Sequence, residues 1–315
     1  MIPRILILND NAGRRYGSVA YRLRRRGAVV SVASLAAIGF DSERPHGLAI
    51  PGFEHGLPDA VVVRSIAAGS FEAITRRLGV LHAFGKLGVP VWNSAQAIER
   101  CVDKSMTTFL LKNAGLPTPP TFAAEGRETA DAIVGRELVH GPLVLKPLFG
   151  AQGRGIRLIR SVEDLPAPQE INDVYYLQHY IPRAGPPFRD FRVFVCAGKP
   201  VATMSRTSDD WITNVGRGAT PQPVSAADEA ALGELAVAAA TAVGADFAGV
   251  DIVPAADGSL SVVEVNSMPA WSGLQSVSAV NIADAIAAAL LAFLGERAGA
   301  SVAASPRRLV VPAND

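Results

Sequence analysis

The sequence predicts an α/β chain that gains α+β elements in its later part. Two observations carry this. Strand and helix signals alternate as far as residue 95, as in a small parallel sheet with helices on both faces. Beyond that point apolar, β-branched runs come in adjacent pairs split by turn residues, the pattern of antiparallel hairpins.

Taken in order, Ile5 to Leu8 is an apolar strand, Ser18 to Arg26 a helix closed by Gly27, and Ala28 to Ala33 the next strand. Ala60 to Val63, a helix from Phe71 to Leu87 ended by Gly88, and Val89 to Trp92 repeat the alternation. The first turn, Asn9-Asp10-Asn11-Ala12-Gly13-Arg14, lacks the Gly-x-Gly-x-x-Gly spacing that admits a dinucleotide pyrophosphate, which disfavours a nicotinamide dehydrogenase. Asp103 is placed to cap a helix with Met106, Phe109 and Leu110 on one side, stopped by Gly115. Leu116-Pro117-Thr118-Pro119-Pro120 is stiff punctuation and reads as a hinge. It leads to strands around Leu143 to Lys146, Ile156 to Arg160 and Tyr175 to Tyr180, with Pro182, Pro186 and Pro187 at the exit. A hairpin follows, Phe191 to Cys196 with Val201 to Arg206, then a long helix from Ala226 to Val243, a second hairpin, and a last helix around Ile282 to Leu294. After Gly295 no periodicity remains. The expected division is 1–95, 96–186, 187–295 and a disordered tail, 296–315.

The 315 residues, 49% hydrophobic and 19% charged, allow cores for two or three domains. A net charge of +1 supplies no field to gather nucleic acid or anionic membrane, so neither partner is expected. The basic stretch Arg22, Arg24, Arg25, Arg26 reads as a solvated helix face or as a dock for an anionic acceptor. Cys101 and Cys196 are too few for a disulfide framework and lack metal spacing, which fits reduced thiols in a cytoplasmic protein. The N-terminal apolar run is too short for a signal segment, and the longest apolar helix is shorter than a bilayer and contains Asp284.

The second hairpin carries the sharpest chemical signal. Asp251-Ile252-Val253-Pro254 and Ser261-Val262-Val263-Glu264-Val265-Asn266 close on Asp257-Gly258. Pairing symmetric about that turn sets Asp251 opposite Glu264, with Cβ atoms about 5 Å apart, and Asn266 follows on the same face. Two carboxylates and an amide oxygen suit a hard cation, Mg²⁺ or Mn²⁺; scattered surface acids fit the same text. Pro254 cannot donate to the ladder, so the loop is open to being wider than two residues.

Phe149-Gly150-Ala151-Gln152-Gly153-Arg154-Gly155 brings backbone N–H groups within reach of phosphate oxygens, or is simply a flexible hairpin. Lys146 ends a strand and Lys104 begins a helix. Each reads as an ordinary surface lysine or as a point charge for a triphosphate. The strand through Gln178, His179, Tyr180 and Ile181 stops at Pro182, leaving backbone groups that a flat neutral base could use; an edge strand reads the same. His179 has no carboxylate identifiable beside it and reads as a packed or hinge residue. Asp190 and Arg192 share a face, Arg206 ends the partner strand, and Arg217 lies in a glycine-flanked loop with Thr213 and Asn214 upstream. Three convergent arginines would clamp phosphoryl or carboxylate oxygens.

In this order Asp103-Lys104, Lys146, the Gly150 to Gly155 loop, Gln178 to Ile181, Asp190-x-Arg192, Asn214, Asp251, Glu264-x-Asn266 and Pro269 resemble the ATP-grasp ligases, and among them the RimK-type glutamate ligases, over roughly residues 1 to 295. The resemblance implies an ATP-grasp fold behind a Rossmann-like N-terminal domain. It implies that Lys104, Lys146, Gln152 and Gly153 meet the ATP phosphates, and that Gln178, His179, Tyr180 and Ile181 hold adenine. Asp190 would lie at or near the ribose with Thr213 and Asn214 beside the nucleotide, and Asp251, Glu264 and Asn266 would bind Mg²⁺. Arg192, Arg206 and Arg217 would steady the transferred phosphoryl group or a substrate carboxylate. His179 stands where relatives commonly carry glutamate, and Ile212 where some carry a basic residue. The implied reaction activates an acceptor carboxylate with ATP and joins it to an amine, with glutamate added to a tetrahydromethanopterin-like acceptor, or to a ribosomal protein tail or deazaflavin. A non-catalytic ATP-binding regulator is the reading of a different class. A homo-oligomer is left open.

Overall fold

The computed structural model describes residues 2–10, 17–150 and 153–304. Strand β1 (Arg4–Leu8) is followed by α1 (Gly17–Arg25), β2 (Val29–Ala33), a two-stranded ribbon of β3 (Gly39–Phe40) and β4 (Leu48–Ala49), β5 (Ala60–Val63), α2 (Phe71–Lys86) and β6 (Val91–Trp92). β2, β1, β5 and β6 form an all-parallel sheet in that order. Ile5 and Ile7 pack on one side with Val19 and Leu23 of α1, and Leu6 and Leu8 on the other with Val80, Leu81 and Phe84 of α2. Both faces are covered, so β5 is buried throughout, as a continuous apolar run requires.

Helices α3 (Ala95–Val102) and α4 (Lys104–Asn113) follow. The Asp103 carboxylate caps α4 by accepting from the Ser105 and Met106 N–H groups at 2.8 and 3.2 Å. A second sheet is built from β7 (Thr121–Glu125), β8 (Leu143–Lys146), β9 (Arg157–Ile159) and β10 (Val174–His179), antiparallel in the order β7-β10-β8-β9. Helix α5 (Arg127–Glu137) covers one face, setting Ala130, Ile133 and Val134 against Leu143, Leu145, Tyr175 and Leu177.

The third sheet contains β11 (Phe188–Cys196), β12 (Lys199–Ser208), β13 (Thr220–Gln222), β14 (Phe247–Pro254) and β15 (Leu260–Asn266), antiparallel in the order β13-β12-β11-β14-β15. Helix α6 (Ala226–Val243) lays Leu232, Ala236 and Ala239 on Phe191, Val193, Val250 and Val262. The opposite face is apolar at one end, where Phe194 and Phe247 meet Trp271, and charged at the other. Helices α7 (Ser272–Val277) and α8 (Ile282–Ala304) complete the chain, and α8 returns to pack on α1 beside the parallel sheet.

Three features depart from expectation. β7 and α5 carry weak sequence signals: α5 starts at Gly126 without a side-chain cap and holds Gly135 within it. The segment 96–116, grouped above with the second sheet, packs Leu111 and Leu116 into the core beneath the third. The structureless tail expected from Gly295 is helical as far as Ala304; 305–315 lie outside the described residues. That segment is alanine-rich, so it has strong helix propensity but no stripe to read, and Arg297 ties it to the Gly88 carbonyl at 2.7 Å.

Asn93 joins the first and third sheets. Fully buried just past β6, it donates to the Phe247 and Ser267 carbonyls at 2.7 and 2.6 Å and accepts from the Asp246 and Phe247 N–H groups at 2.6 and 3.0 Å. Replacing Asn93 with Ala strands these groups in the interior, and urea denaturation should show a loss of about 3–5 kcal/mol.

Candidate active site

β14 and β15 pair in two registers. Near the turn Pro254 faces Leu260 and Ile252 faces Val262; further along, Asp251 faces Glu264 and Gly249 faces Asn266. Val263 is the extra residue between them, a β-bulge. The expected opposition of Asp251 and Glu264 is present, but not through a symmetric two-residue turn. Five residues, Ala255 to Ser259, link the strands, with Asp257 Oδ1 accepting from the Ser259 N–H and hydroxyl at 2.9 and 2.7 Å. The bulge restores what the wider loop displaces. It also lets the consecutive Val263 and Glu264 both line a cleft of about 150 Å³ between the second and third sheets.

Registers across β12, β11 and β14 put Arg206 opposite Asp190 and Arg192 opposite Asp251. Arg192 grips Asp251 through two hydrogen bonds of 2.7 and 2.6 Å, and Arg206 grips Asp190 with the same two lengths. Arg206 also lies 3.1 Å from Asp251, which makes one chain of alternating charges. Burial works against the ionised Asp251, but Arg192 and Arg206 outweigh it and hold its carboxyl below the usual range. Burial likewise opposes the Arg206 charge, and Asp251 with Asp190 raises its pKa above the ordinary value. Asp190 is pushed the other way: burial, reinforced by Asp251, raises it despite Arg206.

On the opposite wall the Lys146 ammonium donates to Gln178 Oε1 at 2.7 Å, and the Gln178 amide donates to Thr121 Oγ1 at 3.0 Å. Lys104 reaches the Leu148 and Gly150 carbonyls at 3.1 and 3.3 Å, which ties α4 to the start of the glycine loop. Burial depresses both lysines, with Glu264 pulling the other way; Lys146 falls to about 8. Two partly desolvated lysines facing a carboxylate ladder leave room for an anion between them.

The RimK-like ATP-grasp domain matches residues 101–290. The tetrahydromethanopterin:alpha-L-glutamate ligase of Methanococcus maripaludis is 35% identical over 226 residues, 67% of this chain and 75% of that protein. This chain belongs to the RimK-like ATP-grasp family. The alpha-aminoadipate–LysW ligase LysX of Saccharolobus solfataricus is 31% identical over 206 residues, 62% of this chain and 72% of that one. The ATP-grasp ligase PsnB, solved with its minimal precursor, superposes with a TM-score of 0.70 at 22% identity, covering 93% of this chain and 99% of the other, a likeness of fold. This chain is thus an ATP-grasp ligase, with an α/β architecture that its three sheets display.

Within this ATP-grasp ligase, Lys104, Lys146, Gly153, Gln178, His179, Tyr180, Ile181, Asp190, Arg206, Thr213, Asn214, Asp251 and Glu264 all line the cleft. Gln152 lies outside the described residues. Arg192 and Asn266 are not among the cleft's lining residues, although strand register sets Arg192 opposite Asp251 and Asn266 two positions beyond Glu264. The buried Asn266 amide nitrogen, a hydrogen-bond donor, has no partner among the described residues. Arg217 does not converge with the other two arginines: it is half-exposed and reaches Asp210 and the Gly153 carbonyl, each at 3.4 Å. A Cβ on Gly153 would meet Ile212 at 3.0 Å and Arg217 at 3.3 Å, so the loop rests on the 212–217 segment as only glycine allows.

His179 does have a carboxylate beside it: Glu137 Oε2 is 3.1 Å from Nε2, on the α5 side of the sheet. Strand alternation sends that imidazole away from the cleft while Gln178 faces it, so only the backbone of His179 can serve a ligand. The basic face of α1 is partly committed, since Arg26 pairs with Asp284 at 3.0 and 2.7 Å and Arg24 donates to the Val30 carbonyl at 2.9 Å. Val144, Ile156, Arg154, Arg183 and Trp211, to which sequence reasoning assigned no role in a site, also line the cleft. Packing brings these together; Arg154 alone among them stands in a motif named above, the glycine loop.

Part of Lys146 opens to the cleft, yet protein surrounds its charge. The unfolded chain titrates this group at 10.5, so it binds the extra proton between pH 8 and 10.5, and the cost of a charged Lys146 is full below pH 8 and fades toward 10.5. In urea denaturation without nucleotide, Lys146→Met should therefore be more stable than the wild type by about 1–2 kcal/mol at pH 7, and the difference should shrink as pH approaches 10.5.

Proposed function

We propose that this ligase joins a carboxylate of a small anionic acceptor to the amino group of L-glutamate, driven by conversion of ATP to ADP and phosphate, with an acceptor of the tetrahydromethanopterin kind. The observation that carries the reading is one cleft with Lys104, Lys146 and the glycine loop on one wall and the Asp251–Glu264 ladder on the other. The named activity of the 35%-identical Methanococcus maripaludis ligase supports the choice of acceptor and amine.

The adenine would lie between Val144 and Ile156 on one sheet and Val253 and Val263 on the other. The His179 and Tyr180 N–H groups are taken by the Pro120 and Pro142 carbonyls at 2.9 and 3.0 Å, whereas the Ile181 N–H has no partner among the described residues and remains for a ring nitrogen. Lys104 and Lys146 would neutralise phosphate oxygens, which also restores a counter-charge to two ammonium groups that burial disfavours. Asp251, Glu264 and Asn266 fit a hard divalent cation such as Mg²⁺: each offers a side-chain oxygen, and Asp251 is held ionised. Such an ion would screen the phosphate oxygens during transfer.

An acceptor carboxylate oxygen then attacks the γ-phosphorus, the bond to the bridging oxygen breaks, and ADP leaves. Arg206 and Arg192, fixed in orientation by Asp190 and Asp251, stabilise the charge that spreads over the moving phosphoryl group. The glutamate nitrogen attacks the resulting acyl carbon, the bond to phosphate breaks, and the proton shed by the amine leaves with solvent. The glycine loop, resting on Ile212, keeps water from the acyl phosphate. Similarity to the LysX ligase favours a second reading, in which the acceptor is carried on a protein. Among the described residues no helix is long and apolar enough to cross a membrane, and two cysteines without a disulfide fit a cytoplasmic setting.

Incubating the enzyme with Mg-ATP, L-glutamate and tetrahydromethanopterin, deazaflavin or acidic-tailed peptide acceptors should raise the mass of the pterin by one glutamyl residue. ATP consumption with every acceptor mass unchanged would refute the reading. Glu264→Gln should lower kcat by about 100-fold or more with folding intact, since it removes one oxygen ligand and one charge from the ladder.

A further inference from the structure

Arg64 takes no part in the site described so far. It follows β5 directly, at the carboxyl edge of the parallel sheet, and its N–H donates to the Leu8 carbonyl at the end of β1 at 2.8 Å. In the order β2-β1-β5-β6 the chain departs from β1 on one side and resumes on the other, so the crevice between β1 and β5 is where open α/β sheets take ligands. The side chain is 8% exposed. Its guanidinium lies 4.1 Å from the centre of the Trp271 ring, and Nη2 donates to the Pro269 carbonyl at 3.0 Å. Nε and Nη1, which carry three of the five N–H donors, are buried and have no acceptor among the described residues.

Burial lowers the Arg64 pKa to about 9, and no charged group among the described residues offsets it. A buried charge without a partner is strongly unfavourable, and its retention points to a ligand that completes it. The place is continuous with the reacting end. A Cβ on Gly249 would stand 2.9 Å from Pro269 Cβ and 3.7 Å from Arg192 Nε, so the residue that accepts from Arg64 and the arginine that grips Asp251 meet at one point. We infer that Arg64 is a binding residue for a carboxylate of the organic substrates, seated in the crevice at the carboxyl edge of the parallel sheet. One positive charge with open donors is matched by one carboxylate, whereas a phosphate dianion would leave excess negative charge. The inference rests on the ligase reading only for the identity of the carboxylate's owner.

Trp271 supplies a readout independent of catalysis. Titrating the wild-type enzyme with glutarate and with L-glutamate, at ionic strength matched with sodium chloride, should give a saturable change in tryptophan emission that Trp271→Phe abolishes and Arg64→Gln weakens by about tenfold or more. No saturable change with either carboxylate, or a response to inorganic phosphate alone, overturns the inference. In turnover, Arg64→Gln should raise KM for the acceptor or for the amino acid by about tenfold, which identifies the owner, with KM for ATP unchanged and partial recovery in Arg64→Lys. Unchanged KM for both organic substrates in a folded variant also overturns it. Should the wild type alter no acceptor mass, the proposed function fails while the emission titration still decides the site.

Discussion

The site depends on keeping Asp251 ionised inside the protein. A carboxylate removed from water favours protonation unless opposite charge and hydrogen bonds compensate, and here two guanidinium groups do so. Neither arginine would stay where it is by itself. Arg206 is held from its other side by Asp190, and Arg192 is fixed by the strand register that faces it to Asp251. The result is a ladder already charged and oriented before any ligand arrives, and organisation of this kind lowers the reorganisation needed as phosphoryl charge moves.

That ladder needs a defined strand register, and the register needs the rest of the fold. The apolar face under β11, β14 and β15 is clamped by α6, so a slip of one residue would send Asp251 into a hydrophobic core. The bulge at Val263 is therefore a fixed feature: with the five-residue loop alone, Asp251 would face Val263 and Glu264 would fall out of line. Asn93 extends the constraint outward, because its four hydrogen bonds fix the start of β14 and the exit of β15 to the end of β6. These bonds thus tie the parallel sheet, whose edge carries Arg64, to the strands that carry the ladder.

Much of the cleft lining was legible in the sequence, because the chemistry proposed for it draws on short local patterns. A triphosphate needs lysines and backbone N–H groups, and these come from short local patterns: Lys104 behind its Asp103 cap, Lys146 at a strand end, the glycine loop. The opposition of Asp251 and Glu264 was legible too, although the argument from a symmetric Asp257-Gly258 turn reached the correct pairing by an incorrect loop. α5 went unseen behind its glycine start, and the helical segment 296–304 because alanine-rich helix without a stripe resembles no structure at all. Glu137 could not be placed beside His179, nor Trp211 in the cleft, since both contacts exist only after distant elements pack.

Arg64 shows the limit most plainly. An arginine after a short apolar strand has no sequence signature, and its interest arises from burial over Trp271 without a counter-ion, a property of three elements brought together. The acceptor side of such a ligase has no common ligand to impose a pattern, so its determinants are scattered over the chain and differ in kind. Ile212 belongs to the same logic. The resemblance implies a basic residue at 212, and this chain places an aliphatic one there, packed with Arg217 against Gly153. The charge inferred for a substrate carboxylate lies apart from that segment, at the edge of the parallel sheet, where the Arg64 guanidinium donates to the Pro269 carbonyl and both Pro269 and Arg192 approach Gly249.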